Sequence, residues 1–186
     1  MNNQNGIGYA EEPKNGEGIR RSKTTRQLRA WEFSRSLKSL EIINKEFNNI
    51  DFPGIYILFE GKNKVYIGET NSLFQRVKTH TNNPEEKIKN WDAAIIINDG
   101  RTASHSEFND SIIRKELEHF LVRLFNANKY RIVAQSSAQN LNSTQKYSVD
   151  SLKTELEFIL LKKNRNILAL SKSSCFFQFF GNSTVL

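Results

Sequence analysis

The chain has 186 residues, 38% of them hydrophobic and 25% charged, with only three Pro and nine Gly. That balance excludes a disordered or fibrous chain and fits one domain, or one domain with an appendage. The longest strictly apolar run, Ala93 to Ile97, is far short of the roughly 20 residues of a membrane helix, and the opening residues lack the basic head and greasy stretch of a secretory signal. A single cysteine, Cys175, leaves no internal disulfide framework and no cysteine-built zinc site. The expectation is a cytoplasmic protein with no membrane partner.

The net charge is +7, from 27 Lys and Arg against 20 Asp and Glu. Such a balance suits a polyanion, because each neutralised phosphate releases condensed counterions. Many small basic proteins never touch nucleic acid, so charge alone does not decide the partner. Between Lys14 and Lys38 there are eight positive residues and two acids. This stretch opens polar and then reads as a helix from about Thr24 to Phe47, with Leu28, Trp31, Leu37, Leu40 and Ile43 as its apolar stripe. A basic arm carrying Arg20, Arg21, Lys23 and Arg26 would lie along a phosphate backbone. A solvated helical face is the plain alternative.

Pro53 ends that helix. Gly54 to Glu60 and Lys64 to Glu69 are rich in β-formers, and the Gly61-Lys62-Asn63 turn between them predicts an antiparallel hairpin. With a three-residue loop, Tyr56 falls opposite Gly68 and Leu58 opposite Tyr66, so Tyr56 and Tyr66 share one face. An even-numbered loop would separate them. Thr70, Asn71 or Ser72 can cap the next helix, on which Leu73, Val77 and His80 align with Arg76 at the margin. Arg76 and His80 are one turn apart and can converge on one ligand. Asn90 to Asp99 reads as a buried third strand.

Asp110 can cap a following helix whose buried stripe is Leu117, Phe120, Leu121, Leu124 and Phe125. Glu118 sits at the margin of that stripe, while Glu116, His119 and Arg123 are expected to face water. A carboxylate at an apolar margin costs free energy unless it is paired or binds a metal. Taken alone, an ion pair with a nearby Lys or Arg explains Glu118 as well as a metal does. Tyr56 and Tyr66 as strand aromatics, and Arg76 and His80 as a solvated helix edge, are the matching plain readings.

Taken together these residues resemble the GIY-YIG nuclease family. Gly54-Ile55-Tyr56, then Tyr66-Ile67-Gly68-Glu69-Thr70, Arg76, His80 and Glu118 occur in the family's order and spacing, over about residues 52 to 130. The resemblance implies an α+β fold, a small antiparallel three-stranded sheet flanked by helices. Here a helical, basic N-terminal extension (1–50) would precede the nuclease domain (51–165), and an aromatic-rich tail (166–186) would follow it. It also implies phosphodiester hydrolysis by in-line attack of water with one divalent cation, Mg²⁺ or in its place Mn²⁺. Tyr56 would act as general base or position the water, Tyr66 would bond water or phosphate, and Arg76 would hold the non-bridging oxygens. His80 would bond the phosphate or share the proton, and Glu118 would hold the metal.

The family often has an Asn beyond the metal Glu in a Gly-Tyr-Asn-like setting. Here Asn126, Asn128, Asn140 and Asn142 are near, none in that setting, and Asn128 beside Tyr130 is the candidate. Lys78 is a further candidate for DNA contact, with solvated surface as its alternative. Residues 134 to 148 read as a polar loop, and Leu152, Leu156, Ile159, Leu160 and Lys163 mark a helix. The tail packs four phenylalanines into Phe176 to Phe180, an apolar cover for the core or a dimer contact. A nearly bare nuclease domain with a short extension at each end resembles compact restriction enzymes, bacterial or phage-encoded, that cut specific double-stranded DNA as homodimers. A repair or structure-specific nuclease, and a catalytically idle DNA-binding module, are the alternatives.

Overall fold

Seven strands form one mixed sheet in the computed structural model, whose described residues are 7–11, 16, 18–48, 50–101 and 103–163. In chain order the strands are β1 (Tyr9–Glu11), β2 (Arg20–Thr24), β3 (Leu28–Ser34), β4 (Gly54–Glu60), β5 (Lys64–Thr70), β6 (Ala93–Asp99) and β7 (Arg131–Ile132). The helices are α1 (Leu37–Lys45), α2 (Leu73–Asn82), α3 (Ser111–Ala127) and α4 (Ser143–Lys162). In space the strands run β1-β2-β3-β6-β4-β5-β7. Every neighbouring pair is antiparallel except β5 and β7.

The β4–β5 hairpin has the predicted register. Glu60 pairs with Lys64, which leaves residues 61–63 as the loop and sets Tyr56 opposite Gly68 and Leu58 opposite Tyr66. Gly61 takes a positive φ of 61°, the left-handed conformation such a turn needs. β6 lies between β3 and β4 and is buried on both faces, so its apolar run lacks the alternation of a half-exposed strand. One face of the sheet, with Leu28, Ile55, Ile57, Ile67 and Ile97, packs under α3 and α4. The other, with Trp31, Tyr56, Leu58, Tyr66 and Ile96, packs under α1 and α2.

Two expectations are corrected. The sheet has seven strands rather than three, and the basic N-terminal segment supplies three of them instead of a helix from Thr24 to Phe47. Only Leu37–Lys45 is helical there, begun by Ser36, whose side chain accepts from the Ser39 backbone N–H. The reason is long-range. Leu28 to Ser34 pairs with β6 at all seven positions, and its side chains enter both cores: Leu28 and Ala30 on one face, Trp31 and Phe33 on the other. That ladder and burial outweigh a local composition that favours helix. Fully buried Glu155 of α4 closes the β2–β3 turn by accepting from Thr24 Oγ1 and from the backbone N–H of Gln27 and Leu28, both at 3.2 Å.

The stretch read as a polar loop ends sooner than expected. α4 starts at Ser143 because Asn142 and Gln145 form a reciprocal capping box. No helix among the described residues is long and apolar enough to cross a membrane. The aromatic tail from residue 166, with Cys175, lies outside the described residues.

Candidate active site

α2 carries two of the site's side chains and is pinned to the sheet at its start. Ser72 stands at its N-cap position but makes no side-chain cap bond; the capping acceptor is Asp51, whose carboxylate accepts from the backbone N–H of Phe74 (2.9 Å) and Gln75 (3.1 Å). Gly54 lets the helix come close: a Cβ there would stand 2.7 Å from both Leu73 Cδ2 and the Ile97 carbonyl oxygen. Leu73 and Val77 face the sheet, so Arg76 and His80 arrive beside β4 and β5.

There the two tyrosines, the arginine and the histidine meet. Arg76 Nε donates to the Tyr56 hydroxyl at 3.1 Å, and the same hydroxyl lies 3.1 Å from His80 Nε2. The Tyr66 ring stacks near Tyr56 with centroids 6.0 Å apart, and each tyrosine ring is 5.3 Å from the imidazole. Gly68 makes room for this: a Cβ on it would lie 2.4 Å from the Tyr56 hydroxyl oxygen.

Burial, then the charges of Arg76 and Lys87, press the His80 pKa down to about 4 against the pull of Glu85. The imidazole is therefore neutral near pH 7. Burial first, and then Tyr66, push the Tyr56 phenol well above its ordinary value, opposed by Arg76. Arg76 can only donate, while a neutral imidazole accepts or donates at Nε2 according to its tautomer. Arg76 donates to the Tyr56 oxygen, and with the imidazole proton on Nδ1 Tyr56 donates to His80 Nε2. Of the two roles open to Tyr56, this favours holding a water or relaying its proton over acting as a standing phenolate base.

Glu85 joins the same cluster from the loop after α2. Its Oε1 accepts from Arg76 Nη2 (3.2 Å) and from the Tyr66 hydroxyl (3.4 Å), and lies 4.0 Å from His80 Nε2. Lys87 Nζ is 3.1 Å from its other oxygen. Burial raises the Glu85 pKa, but Lys87, His80 and Arg76 outweigh it and hold the carboxyl below its usual range.

Glu118 stands on α3, one turn beyond Arg114. The Arg114 side chain is 1% exposed and binds Glu69 Oε2 (2.7 Å), the Phe108 carbonyl and the Asn71 side-chain oxygen. Glu118 itself is half-buried and makes no hydrogen bond or ion pair among the described residues. Burial, then the Glu69 carboxylate, push its pKa up to about 7 against Lys115. Glu69 pairs with Ile55 and so points to the α3 face, opposite Tyr56. β7 covers the outer edge of β5 only at Lys64 and Val65, which leaves residues 66–70 without a strand on that edge among the described residues.

Asp110 caps α3 as expected, accepting from the Ile112 backbone N–H at 2.8 Å. Glu116 does not face water. It is buried against the Gln139 backbone N–H and Lys153 Nζ, both at 3.0 Å, because α4 and the segment before it cover that side of α3. His119 likewise meets Ser136 Oγ at 3.2 Å, while Arg123 is exposed. Asn128 is the C-cap of α3 and donates to the Leu124 carbonyl at 2.8 Å, about 15 Å of helix beyond Glu118.

The basic residues of the first segment divide. Arg20 is ion-paired with Glu11 (3.2 Å) and Glu32 (3.7 Å), and Arg21 with Glu46 (2.6 Å). Lys23, Arg26 and Lys78 are exposed. Arg21, Trp31, Ile96 and Tyr56 lie in one row across the sheet on the same face, roughly 14 Å from end to end at the usual strand spacing. Sequence reading missed Asp51, Glu85, Lys87 and Arg114, and gave Glu69 no role beyond its place in the motif. None of them stands at a periodic position that marks it, and apart from the Glu85–Lys87 pair their partners in this site lie further away in the chain.

Hydroxyl, guanidinium and imidazole groups converging beside the partly exposed Arg76 and Glu85 suit the handling of a phosphodiester, and a nuclease domain is the class they fit. Residues 52–131 match the family model of the GIY-YIG catalytic domain, which supports a place for this segment in the GIY-YIG nuclease family. No curated protein and no solved structure matches the chain at a significant level.

Proposed function

We propose that this protein is a Mg²⁺-dependent DNA endonuclease of restriction type, cutting specific sequences in duplex DNA as a homodimer. The observation that carries the reading is the hydrogen-bonded chain from Arg76 through Tyr56 to His80, set beside Tyr66 on one sheet face. Arg76 and Tyr66 hold the non-bridging oxygens of the scissile phosphate, and the forked guanidinium offsets charge as the phosphorane forms. Tyr56 orients the attacking water. The water oxygen bonds to phosphorus as its proton passes to the Tyr56 oxygen and the phenol proton to His80 Nε2. The bond from phosphorus to the 3′ oxygen breaks, and that oxygen takes a proton from solvent to leave a 3′ hydroxyl and a 5′ phosphate. An arriving phosphodiester brings negative charge beside the imidazole and raises its basicity for that step.

A divalent cation fits the chemistry of Glu118. A half-buried carboxylate without a partner among the described residues, close to the Glu69 carboxylate, is an oxygen-only donor set suited to a hard cation that keeps most of its waters. No group of three or more His, Cys, Asp or Glu side chains gathers among the described residues, in keeping with a site completed by water and substrate. Mg²⁺ held by Glu118 would supply charge stabilisation at the leaving 3′ oxygen. Mn²⁺ suits the same donors. Lys23, Arg26 and Lys78 are exposed for contact with the DNA backbone, while Arg20 and Arg21 reach it by exchanging their carboxylate partners.

The test is incubation with long unmethylated duplex DNA, with Mg²⁺ or with EDTA, beside a Glu118→Ala control. Discrete fragments that need Mg²⁺ and vanish in the variant support the reading. A Mg²⁺-dependent smear keeps the nuclease and removes its sequence specificity, as in a repair or structure-specific enzyme. Binding without cutting under every condition removes the catalytic assignment.

A further inference from the structure

The loop between α2 and β6 is held firmly on both sides of Glu85 and Lys87. Ile88 and Trp91 are buried, and the Trp91 indole N–H donates to the His80 carbonyl at 3.0 Å. Arg35 clamps the same loop by donating to the carbonyls of Lys89 (2.9 Å) and Thr81 (2.8 Å). The Asp92 backbone N–H bonds the Phe59 carbonyl at 2.8 Å. Glu85 and Lys87 are therefore placed by the core.

What they do there follows from their contacts. The two oxygens of Glu85 collect Arg76, Tyr66 and Lys87, with His80 at 4.0 Å. Three of these four are the groups that the proposed function gives to the scissile phosphate and its proton. A carboxylate and a phosphodiester both present two anionic oxygens on one centre. The fourth, Lys87, sits with Nζ 4.9 Å from the centroid of the Tyr66 ring. The side chains of Arg76, Glu85 and Lys87 are 41%, 36% and 47% exposed, so an entering phosphate meets them without disturbing the fold. Ion pairs this open to water are weak, so a substrate phosphate can displace the carboxylate at small cost.

We propose that Lys87 is a further substrate-binding residue of this site, and that Glu85 is a carboxylate stand-in which holds Lys87 and Arg76 in place until the scissile phosphodiester replaces it. This rests on the nuclease reading and adds a cation and a placeholder to it. The two residues then act on DNA with opposite sign. Lys87 adds a phosphate contact, whereas Glu85 competes with one.

The experiment is anisotropy of a labelled duplex titrated in EDTA over a range of salt concentrations, with a thermal melt for each protein. Lys87→Met is expected to weaken binding about three- to tenfold and to flatten the salt slope by about 0.9, with Lys87→Arg restoring the slope. Glu85→Gln is expected to tighten binding about three- to tenfold, since it removes the competing charge but keeps the shape. A Lys87→Met slope equal to the wild type's, or a Glu85→Gln protein that binds no better, overturns the proposal. If Lys87→Met fails to fold, the sign of the Glu85→Gln effect decides. A wild-type protein that binds no duplex overturns the nuclease reading itself, and this one with it. Wild-type binding with unmoved variants overturns only this one.

Discussion

The Tyr56 ring lies against the backbone of Gly68, the residue directly opposite it in the hairpin, so closely that a Cβ at position 68 would stand 2.4 Å from the phenol oxygen. Both family tripeptides are thus one packing unit, and the glycine of the second sets where the tyrosine of the first points. Gly68→Ala must push the ring away, because the blocking atoms belong to a buried aromatic ring. The expected cost is about 1–3 kcal/mol of stability from overpacking and about 100-fold in cleavage from the displaced hydroxyl. A thermal melt with single-turnover cleavage checks both. Wild-type cleavage by a folded Gly68→Ala protein would remove Tyr56 from the mechanism.

The pH dependence of stability in EDTA reads the state of Glu118. Its folded pKa of about 7 lies above the ordinary 4.5. The folded state therefore holds this proton more tightly, and the stability so contributed is complete below about pH 4.5 and lost as pH rises through about 7. Glu118→Gln lacks the ionising group. It should match the wild type near pH 4.5 and melt roughly 1–3 °C higher at pH 8, the range being modest because the group is partly solvated. His80, with a folded pKa of about 4, is common to both proteins and cancels in the comparison. Added Mg²⁺ should raise the wild-type melt at pH 8 and leave the variant unmoved.

Asp51→Ala tests the cap of α2. Three backbone N–H groups, those of Phe52, Phe74 and Gln75, lose their acceptor, for a cost of about 1 kcal/mol and a melt lower by roughly 2–4 °C. The contacts among Tyr56, Arg76 and His80 are not made by Asp51, so cleavage of the folded fraction should persist. Circular dichroism against temperature, with cleavage measured well below the transition, separates the two effects.

Removal of residues 1–50 tests whether the matched segment stands alone. The cut would strip β3 from seven pairings with β6 and take Leu28, Ala30, Trp31 and Phe33 out of the two cores. The exposed edge of a buried, apolar strand promotes association. The truncated protein should aggregate or fail to show a cooperative melt, by size-exclusion chromatography and calorimetry. A monomeric, cooperatively melting product would show that the N-terminal strands are an accessory.

Much of the site was legible in the sequence because its geometry is local. Strand side chains alternate with a period of two, so the three-residue loop alone puts Tyr56 and Tyr66 on one face. Arg76 and His80 lie one helical turn apart for an equally local reason, and Asp110 caps its own helix. Other features were decided only when distant segments met. A helix-favouring stretch from Thr24 became strand because β6 offered it seven pairings, with Glu155 of α4 closing its turn. Glu116 was buried by α4, while Glu118, two residues on, was left half-buried without a partner among the described residues. Glu85 and Lys87 entered the site because buried Ile88 and Trp91 fix their loop. Periodicity along the chain states which side chains share a face. Which charges meet across that face depends on contacts whose energy comes from residues far apart in sequence, and only the tertiary structure assembles them.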